Sequence, residues 1–330
     1  MRRLLLLALV AAGLSPGLLW RDDPPLPNAS QSMTFTALPF PVGTRVGGPG
    51  GPLLNGAWQM RSANTDFDSW SALVPLDRYN LLSISDRGHF LRFPVPGTPK
   101  GAGGPVAIGR VLPGSDQFKT MQDMESATRD PASGRVWIGL EFRQSIMRFE
   151  PGLRDHREIR PPEMRDWPAN GGPESLARLP DGRFLVLAED PPRHGAPRPG
   201  LVFPGDPVTG VRPQQFLFSP PPGYSPSDMA LLPDGRVLIL LRGLRFFPPA
   251  FAIRLVLADP ADIRPGREWK WRDVGPLAAP IPIDNYEGLA VTGGEHGAPL
   301  TLWMVSDDNQ SRWLQRSLLL RFEWVPPAPD

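Results

Sequence analysis

Short apolar runs separated by turns rich in Pro, Gly and Asp recur along the whole chain. Two stretches align without gaps, 173–190 (PESLARLPDGRFLVLAED) and 226–243 (PSDMALLPDGRVLILLRG), and related stretches with altered turns occupy 70–88, 124–143 and 286–309. In the shared turn, Pro presets φ and Gly accepts a positive φ, so each stretch is typical of two strands joined by a tight turn. The pattern predicts one supersecondary unit repeated five times.

The first four units each contain two further apolar runs of strand length and the fifth contains one, and four-stranded units repeated in this way are typical of β-propeller blades. The last unit ends near Trp324 without a fourth strand, whereas two runs, 34–40 and 57–61, precede the first unit. One of these N-terminal strands is expected to complete the last blade, because closure removes exposed sheet edges. We therefore predict an all-β propeller of five four-stranded blades, with six blades as the alternative.

The remaining segments divide the chain into four parts. Two arginines followed by an apolar run make residues 1–20 a signal peptide or N-terminal anchor. Residues 21–32 have the composition of a disordered lead-in, residues 33–324 form the single propeller domain, and 325–330 form a tail. No other stretch approaches membrane-spanning length. The protein is expected to be bacterial and either periplasmic or secreted.

Composition excludes several functions. The 35 Lys+Arg residues balance 34 Asp+Glu residues, which argues against a nucleic-acid binder. The absence of Cys rules out disulfides, thiolate zinc sites and cysteine nucleophiles. Lysine occurs only at Lys100, Lys119 and Lys270, so arginine dominates any anion recognition. We expect a monomer with no nucleic-acid partner and no membrane contact beyond the possible anchor.

The repeat places polar residues at equivalent positions. In an antiparallel hairpin, the start of the first strand and the end of the second lie at the same end. These starts and ends should therefore crowd one mouth of the central channel. The ten positions are Trp70, Glu125, Glu174, Ser227 and Glu287 at the starts, and Asp86, Glu141, Glu189, Arg242 and Asp307 at the ends. Seven of them are carboxylates, and Asp190, Asp228 and Asp308 lie one residue away.

Crowded carboxylates repel one another unless a cation compensates them. A ligand set made only of oxygens suits Ca²⁺ better than zinc or copper. Nearby cationic side chains would hold a phosphate or carboxylate beside the metal: Arg87, Arg143, Arg242, Arg245 and His89. Such a mouth is equipped for metal-assisted attack of water on an ester or phosphoester. The alternative is structural, with Glu141 paired to Arg143, or Asp307 accepting hydrogen bonds in its own turn.

Three stretches carry a family resemblance: SDRGHF (85–90), NYEGLAV (285–291) and SDDNQSRWLQRSLLLRF (306–322). Over roughly 33–324 the chain resembles the secreted family called "esterase-like activity of phytase", which is grouped with calcium-dependent β-propeller phytases. The resemblance implies a propeller, an acidic metal site and hydrolysis of phosphoesters or esters. It extends to the matched positions Asp86, Arg87, His89, Glu287, Asp307, Asp308 and Asn309. The chain departs from the family at DFDSWSAL (66–73), where the family tends to be rich in glycine, and at Ser227 and Arg242, which replace two acids.

The sequence thus predicts an exported hydrolase that cleaves a small phosphoester or carboxylic ester with the help of a divalent cation, Ca²⁺. The expected catalytic residues are Glu287, Asp307, His89 and Arg87. The expected substrate-binding residues are Arg242, Arg143 and Asn309, and the expected metal ligands are Asp86, Glu125, Glu141, Glu174, Glu189 and Asp308. Two alternatives share the fold: a non-catalytic envelope propeller that binds a small ligand or a protein, and a calcium-dependent lactonase-like propeller.

Overall fold

A computed structural model describes residues 26–112, 122–246, 249–310 and 315–328. In these residues, strands dominate and helical structure is limited to single 3-10 turns at Pro162–Met164, Pro207–Thr209, Pro260–Asp262 and Glu295–Gly297. No helix in the described part of the chain is long and apolar enough to cross a membrane. The predicted signal or anchor at 1–20 lies outside the described residues.

The strands form five antiparallel sheets, which are the five blades. Blades 1 and 2 comprise β3 (Trp70–Pro75), β4 (Asn80–Ser85), β5 (His89–Pro94) and β6 (Ala107–Arg110), then β7 (Met124–Arg129), β8 (Val136–Leu140), β9 (Ser145–Glu150) and β10 (Arg154–Ile159). Blades 3 and 4 comprise β11 (Pro173–Arg178), β12 (Phe184–Ala188), β13 (Arg198–Phe203) and β14 (Gln214–Phe218), then β15 (Ser225–Leu231), β16 (Val237–Phe246), β17 (Pro249–Ala258) and β18 (Arg272–Leu277). Blade 5 comprises β19 (Tyr286–Gly293), β20 (Leu300–Ser306), β21 (Leu318–Trp324), β2 (Leu53–Arg61) and β1 (Thr34–Ala37).

Blade 5 joins the two ends of the chain. Strand β2 pairs with β21, placing Leu54 opposite Phe322 and Ala57 opposite Leu320, and β1 adds a fifth strand outside β2. The prediction that an N-terminal strand completes the last blade is confirmed, and both N-terminal strands belong to that blade. The prediction of five blades is confirmed, and the six-blade alternative is wrong for the described residues. The ring is thus closed by hydrogen bonds between segments more than 250 residues apart in sequence.

The core lies between the blades. The first strand of each blade packs against the first strands of both neighbouring blades, so β3, β7, β11, β15 and β19 form a ring around the central channel. Five apolar clusters fill the five interfaces between adjacent blades. Between blades 2 and 3, for example, the rings of Trp137 and Phe184 lie 4.8 Å apart. Because second strands such as β8 and β12 are buried on both faces, their sequences are continuous apolar runs rather than alternating ones.

The lead-in follows the propeller surface where it is described. Its composition favoured disorder, yet the amide side chain of Gln31 accepts a hydrogen bond from Ile108 N (2.8 Å) and donates one to Ile108 O (3.1 Å). Thr65 N also donates to Asn28 O at 2.9 Å. A side-chain amide therefore pairs with the backbone of the outer strand β6, a contact that composition does not reveal.

Closure through β2 gives a stability prediction. Leu54 is 2% exposed in the interface between blades 4 and 5, whereas Val42 is fully exposed on the preceding loop. We expect Leu54→Ala to lower the free energy of unfolding by about 2–5 kcal/mol because it leaves a cavity. The control Val42→Ala is expected to change it by less than about 0.5 kcal/mol. Urea denaturation measures both, and equal values would mean that β2 is not part of the core.

Candidate functional site

Every inner strand carries a β-bulge near its start. In blade 2, Met124 pairs with Leu140 and Ser126 pairs with Gly139, so one residue between them has no partner in the ladder. The same register shift occurs in all five blades, and the bulged residues are Ser71, Glu125, Glu174, Ser227 and Glu287. A bulge turns its extra residue away from the ladder, which re-aims the side chain. The blade 1 equivalent of these glutamates is therefore Ser71, not Trp70 as the sequence alignment indicated.

The residue that follows each second strand is also held in an equivalent place. In four blades its backbone N–H donates to the carbonyl two residues before the bulge, and in blade 4 the equivalent pair lies in the ladder as Arg242 opposite Ser225. The four hydrogen bonds are Asp86 N to Ser69 O (3.2 Å), Glu141 N to Asp123 O (2.8 Å), Glu189 N to Gly172 O (3.2 Å) and Asp307 N to Asn285 O (2.9 Å). This shared backbone geometry brings the two sets of side chains to one end of the channel.

Glycine at position 172 allows the close approach in blade 3. A Cβ on Gly172 would lie 2.7 Å from the carbonyl oxygen and 3.1 Å from Cγ of Glu141. The Gly172 carbonyl also accepts hydrogen bonds from the N–H groups of Glu174 and Glu189. The missing side chain therefore lets the acidic residues of blades 2 and 3 meet.

Two groups of three carboxylates form at this mouth. Carboxylate oxygens of Asp86, Asp123 and Glu125 lie within 4.8 Å of one another, and the same holds for Glu141, Glu174 and Glu189. These two groups bring together five of the predicted metal ligands, and they add Asp123, which the sequence analysis missed.

A third group belongs to blade 5 and contains two predicted catalytic residues. The side-chain amide of Asn285 donates to Glu287 Oε1 at 2.8 Å and to Asp307 Oδ2 at 3.3 Å, which holds the two carboxylates side by side. Asn285 stands two residues before the bulge of its blade, as Asp123 does in blade 2. The repeat alignment began one residue too late to include either position, and extending it by one residue would have included both.

Burial sets the protonation of these groups. Burial raises the pKa of Glu125 and of Glu174 well above the ordinary value, and the surrounding carboxylates raise both further. Burial and the charge of Asp123 raise the pKa of Glu141 to about 8, while burial and the charge of Glu287 raise that of Asp307 to about 9. Eight carboxylates from four blades therefore carry a strong electrostatic penalty when they are ionised together.

Arg242 is the cation that meets this charge. It belongs to blade 4 and occupies the position at which each of the other four blades has a carboxylate. Its guanidinium donates to Glu189 Oε1 at 2.7 Å and to Asn285 Oδ1 at 3.1 Å. It also contacts Glu287 Oε1 at 2.5 Å and Glu174 Oε1 at 3.8 Å. Although burial lowers the pKa of Arg242, the neighbouring carboxylates raise it above the ordinary value, so the side chain is always charged. Arg242 thus bridges blades 3 and 5.

His89 and Arg87 lie in a different network, centred on Asp68. The imidazole Nδ1 of His89 is 3.0 Å from Asp68 Oδ1 and its Nε2 is 3.4 Å from Asp66 Oδ1. Gln310 Nε2 donates to Asp68 Oδ2 at 2.6 Å, and Arg87 Nε lies 3.5 Å from the same oxygen. Although burial raises the pKa of Asp68, its hydrogen bonds and the charges of His89 and Arg87 lower it overall. Both ring nitrogens of His89 therefore face Asp66 and Asp68, which do not belong to the three acidic groups.

Three other predicted site residues make local contacts. Asp308 accepts hydrogen bonds from Ser69 N, Gln310 N and Ser317 Oγ, so both of its oxygens tie loops together. Asn309 Nδ2 donates to Gln315 Oε1. Arg143 pairs with Glu158 on β10, not with Glu141. Their roles as a metal ligand and as substrate-binding residues stay predictions.

Asp307 and Asp228 also hold the backbone. Asp307 Oδ1 accepts a hydrogen bond from Asn309 N at 2.7 Å, which is the local turn bond considered for it from sequence. Asp228 is fully buried and accepts bonds from Met229 N (2.8 Å) and Leu289 N (2.7 Å), which links β15 to β19. Burial raises the pKa of Asp228 well above its ordinary value, even though these bonds oppose the shift.

The sequence profile of the family described as "Phytase-like: Esterase-like activity of phytase" matches residues 65–310. The chain belongs to this phytase-like family. The match spans every residue of the three acidic groups. No curated protein matches the chain.

Several solved structures are similar to this phytase-like chain. An endo-arabinase from Bacteroides thetaiotaomicron shares 10% identity with a TM-score of 0.52, over 80% of this chain and 97% of that one. A PQQ-bound aldose sugar dehydrogenase from Streptomyces coelicolor shares 13% identity with a TM-score of 0.43, over 90% and 99%. A luciferin-regenerating enzyme shares 12% identity with a TM-score of 0.44, over 83% and 98%. At such identities, the likeness to the first structure concerns the fold alone.

The residues of the phytase-like mouth fit a hard divalent cation. The two groups of three carboxylates, called the triads below, offer only carboxylate oxygens as charged metal ligands, and Ca²⁺ prefers such ligands. Glu174 Oε2 is buried and has no hydrogen-bond partner among the described residues. Because a buried, unsatisfied carboxylate oxygen is costly, a cation would relieve it.

The raised pKa values predict how stability depends on pH. An unfolded Glu141 loses its proton near pH 4.5 and the folded one near pH 8, so the folded state binds more protons between these values. With a chelator present, the free energy of unfolding should therefore fall as pH rises through this window, by up to about 1.4 kcal/mol per pH unit for each such group. Urea denaturation at several pH values measures the slope.

Two variants test the origin of that slope. Glu141→Gln keeps the side-chain size and removes the buried charge, so it should flatten the decline. Glu323→Gln removes an exposed glutamate of β21 and should leave the slope unchanged. Identical slopes in both variants would contradict the interpretation.

Proposed function

We propose that the protein is an exported phytase-like or esterase-like hydrolase that uses a divalent cation, Ca²⁺, to cleave a small phosphoester or carboxylic ester. The supporting observation is the convergence of eight carboxylates at one channel mouth, with Arg242 as the cation that contacts them. Family membership supports the same class of chemistry. Export rests on the predicted signal or anchor at residues 1–20.

The two triads would hold the cation. Asp86, Asp123 and Glu125 offer one set of carboxylate oxygens, and Glu141, Glu174 and Glu189 offer the other. When bound, the cation supplies a Lewis acid for a phosphoryl or acyl oxygen of the substrate. Burial of both sets excludes competing water and strengthens every charge interaction in the mouth.

The two carboxylates of blade 5, Glu287 and Asp307, would accept the proton of the attacking water. Asn285 fixes Glu287 and Asp307 next to each other. Both lie beside the triads, since the charge of Asp86 raises the pKa values of both. The positive charge of a cation held by the two triads would lower the pKa values of Glu287 and Asp307. One member of the pair would then be ionised and would accept a proton from the attacking water as a general base.

Arg242 would have two roles. Its bonds to Glu189 and Glu287 connect the triad of blades 2 and 3 to the blade 5 pair. Its positive charge also favours the negative charge that develops on substrate oxygens. His89 and Arg87 enter the proposal as positioning residues, because through Asp68 they join the loop before β3 to Gln310 in the loop after β20.

A second candidate function is a non-catalytic propeller that binds a small ligand or a protein at the same mouth. Arg242 already forms ion pairs with three carboxylates, and Asp307 accepts a hydrogen bond in its own turn. These two polar residues of the mouth therefore stabilise the structure. The lactonase-like alternative keeps the fold and the metal, and differs only in substrate.

The first test measures metal binding and turnover together. Purified protein is titrated with Ca²⁺ by calorimetry and assayed on p-nitrophenyl phosphate, p-nitrophenyl acetate and a simple lactone. Glu174→Gln removes a buried ligand charge, so we expect Ca²⁺ affinity to fall at least about tenfold and Ca²⁺-dependent turnover to be lost. Glu323→Gln serves as the control and should retain both.

The outcomes separate the candidates. Cleavage of only the lactone would favour the lactonase-like alternative. Absence of turnover with added Ca²⁺ would refute the enzyme, and Ca²⁺ binding alone would then favour the non-catalytic binding role. Equal Ca²⁺ affinity in Glu174→Gln and wild type would refute the metal site itself.

A further inference from the structure

The opposite end of the central channel contains a cavity of about 490 Å³. It is lined by the later halves of the five inner strands and by the turns that follow them, whereas the acidic mouth lies at the strand starts. The cavity has the size of sites that bind small organic molecules, about 300–1,000 Å³. It shares no lining residue with the acidic groups.

Part of the cavity wall is apolar. It is formed by side chains from successive blades that also belong to the clusters between the blades: Val74, Ala127, Ala177, Met229 and Leu289. All five are at most 5% exposed. An apolar group of a ligand placed here would leave water for a hydrocarbon environment, which favours binding.

Arginines lie around the apolar part. Arg129 and Arg178 are the last residues of β7 and β11, so two adjacent blades present a guanidinium at the same position, and Arg78 is exposed on the turn after β3. Arg129 is half-buried and donates one hydrogen bond, from Nη1 to Leu76 O at 3.1 Å. No described carboxylate forms an ion pair with it. A half-buried guanidinium that has no ion-pair partner among the described residues can donate to an anion placed beside it.

Two of the nearby carboxylates, Asp77 and Asp130, are engaged in their own turns. Asp77 accepts bonds from the backbone N–H groups of Tyr79 (2.7 Å) and Asn80 (2.9 Å). Asp130 accepts a bond from Ser133 Oγ at 2.6 Å and lies 3.5 Å from Arg178 Nη1. Glu295 lies exposed on the cavity wall. Donors of Arg129, and those of Arg178 that do not face Asp130, are therefore available to an incoming anion.

We propose that this cavity binds an anionic amphiphile, a molecule with a carboxylate or phosphate head and a short apolar body. The head contacts the guanidinium groups of Arg129 and Arg178, whose planar fork suits both anions. The apolar body lies against Ala127, Ala177 and Met229. Binding here is independent of the hydrolysis proposed for the acidic mouth.

Calorimetry on the full chain tests this site with four ten-carbon probes: decanoate, decyl phosphate, decanol and decyltrimethylammonium. We expect decanoate or decyl phosphate to bind at least about tenfold more tightly than decanol, because a hydrogen bond to a charged group contributes strongly to binding. The comparison of the two anions decides which head group the arginines prefer. The cationic probe should not bind.

Variants then locate the binding. Arg129→Gln combined with Arg178→Gln should weaken binding of the anionic probe at least about tenfold, since two charge-assisted contacts are lost. Arg154→Gln combined with Arg157→Gln removes the same charge from the exposed strand β10 and should change nothing. Glu174→Gln should bind the probe as wild type does, and the Arg129/Arg178 variant should keep the Ca²⁺ affinity of wild type.

Three results would overturn the proposal: neither anion binds, decanol binds as tightly as decanoate, or the Arg129/Arg178 variant retains full affinity while its melting temperature is unchanged. If that double variant fails to fold, the single variant Arg129→Lys replaces it. Lys keeps the charge and loses the fork, so it should bind the anionic probe more weakly than wild type, and equal affinity would likewise overturn the proposal.

Discussion

The electrostatic repulsion among eight carboxylates is the constraint that governs the acidic mouth of this propeller. The repeated bulge in every inner strand re-aims one side chain per blade, and in three blades that side chain is a glutamate. Backbone bonds place a second acid beside it. Burial then makes the ionised state expensive, as the raised pKa values of Glu141 and Asp307 reflect. The fold therefore concentrates negative charge that a bound cation would offset, and Arg242 compensates only part of it.

That concentration exists only while the ring is closed. Asp86 belongs to blade 1 and Asp307 to blade 5, and the charge of Asp86 nevertheless contributes to the pKa of Asp307. Blade 5 is completed by β2 from the N-terminal part of the chain, so the pairing of β2 with β21 holds together residues far apart in sequence. Asp228, which links β15 to β19, joins blades 4 and 5 from inside the ring. Fold stability and site geometry are therefore coupled.

The repeat made the propeller, its five blades and the acidic positions predictable, because equivalent sequence positions occupy equivalent places in a ring. One detail that failed depends on the bulge, which moves the register by one residue without a sequence signal. Trp70 was aligned with the glutamates, although Ser71 holds that place. The contact of His89 with Asp68 was not predictable, because Asp68 lies in the loop before β3, outside the aligned unit. Arg143 pairs across to Glu158, a contact between a loop and an outer strand that no local spacing encodes.

Lysine is rare in this chain, and the contacts of Arg242 at the acidic mouth give a structural reason for arginine at that position. Blade 4 lacks the bulged glutamate and the strand-end acid of its neighbours, and it contributes Arg242 instead. One guanidinium bonds Glu189 of blade 3 and Glu287 of blade 5 through different nitrogens, which a planar fork with five donors allows. A lysine ammonium is a compact point charge on a flexible stem, and it would not hold both carboxylates in fixed directions. The fork of Arg242 therefore orients the acids of two blades as well as neutralising them, and that orientation makes the departure in blade 4 compatible with a functional mouth.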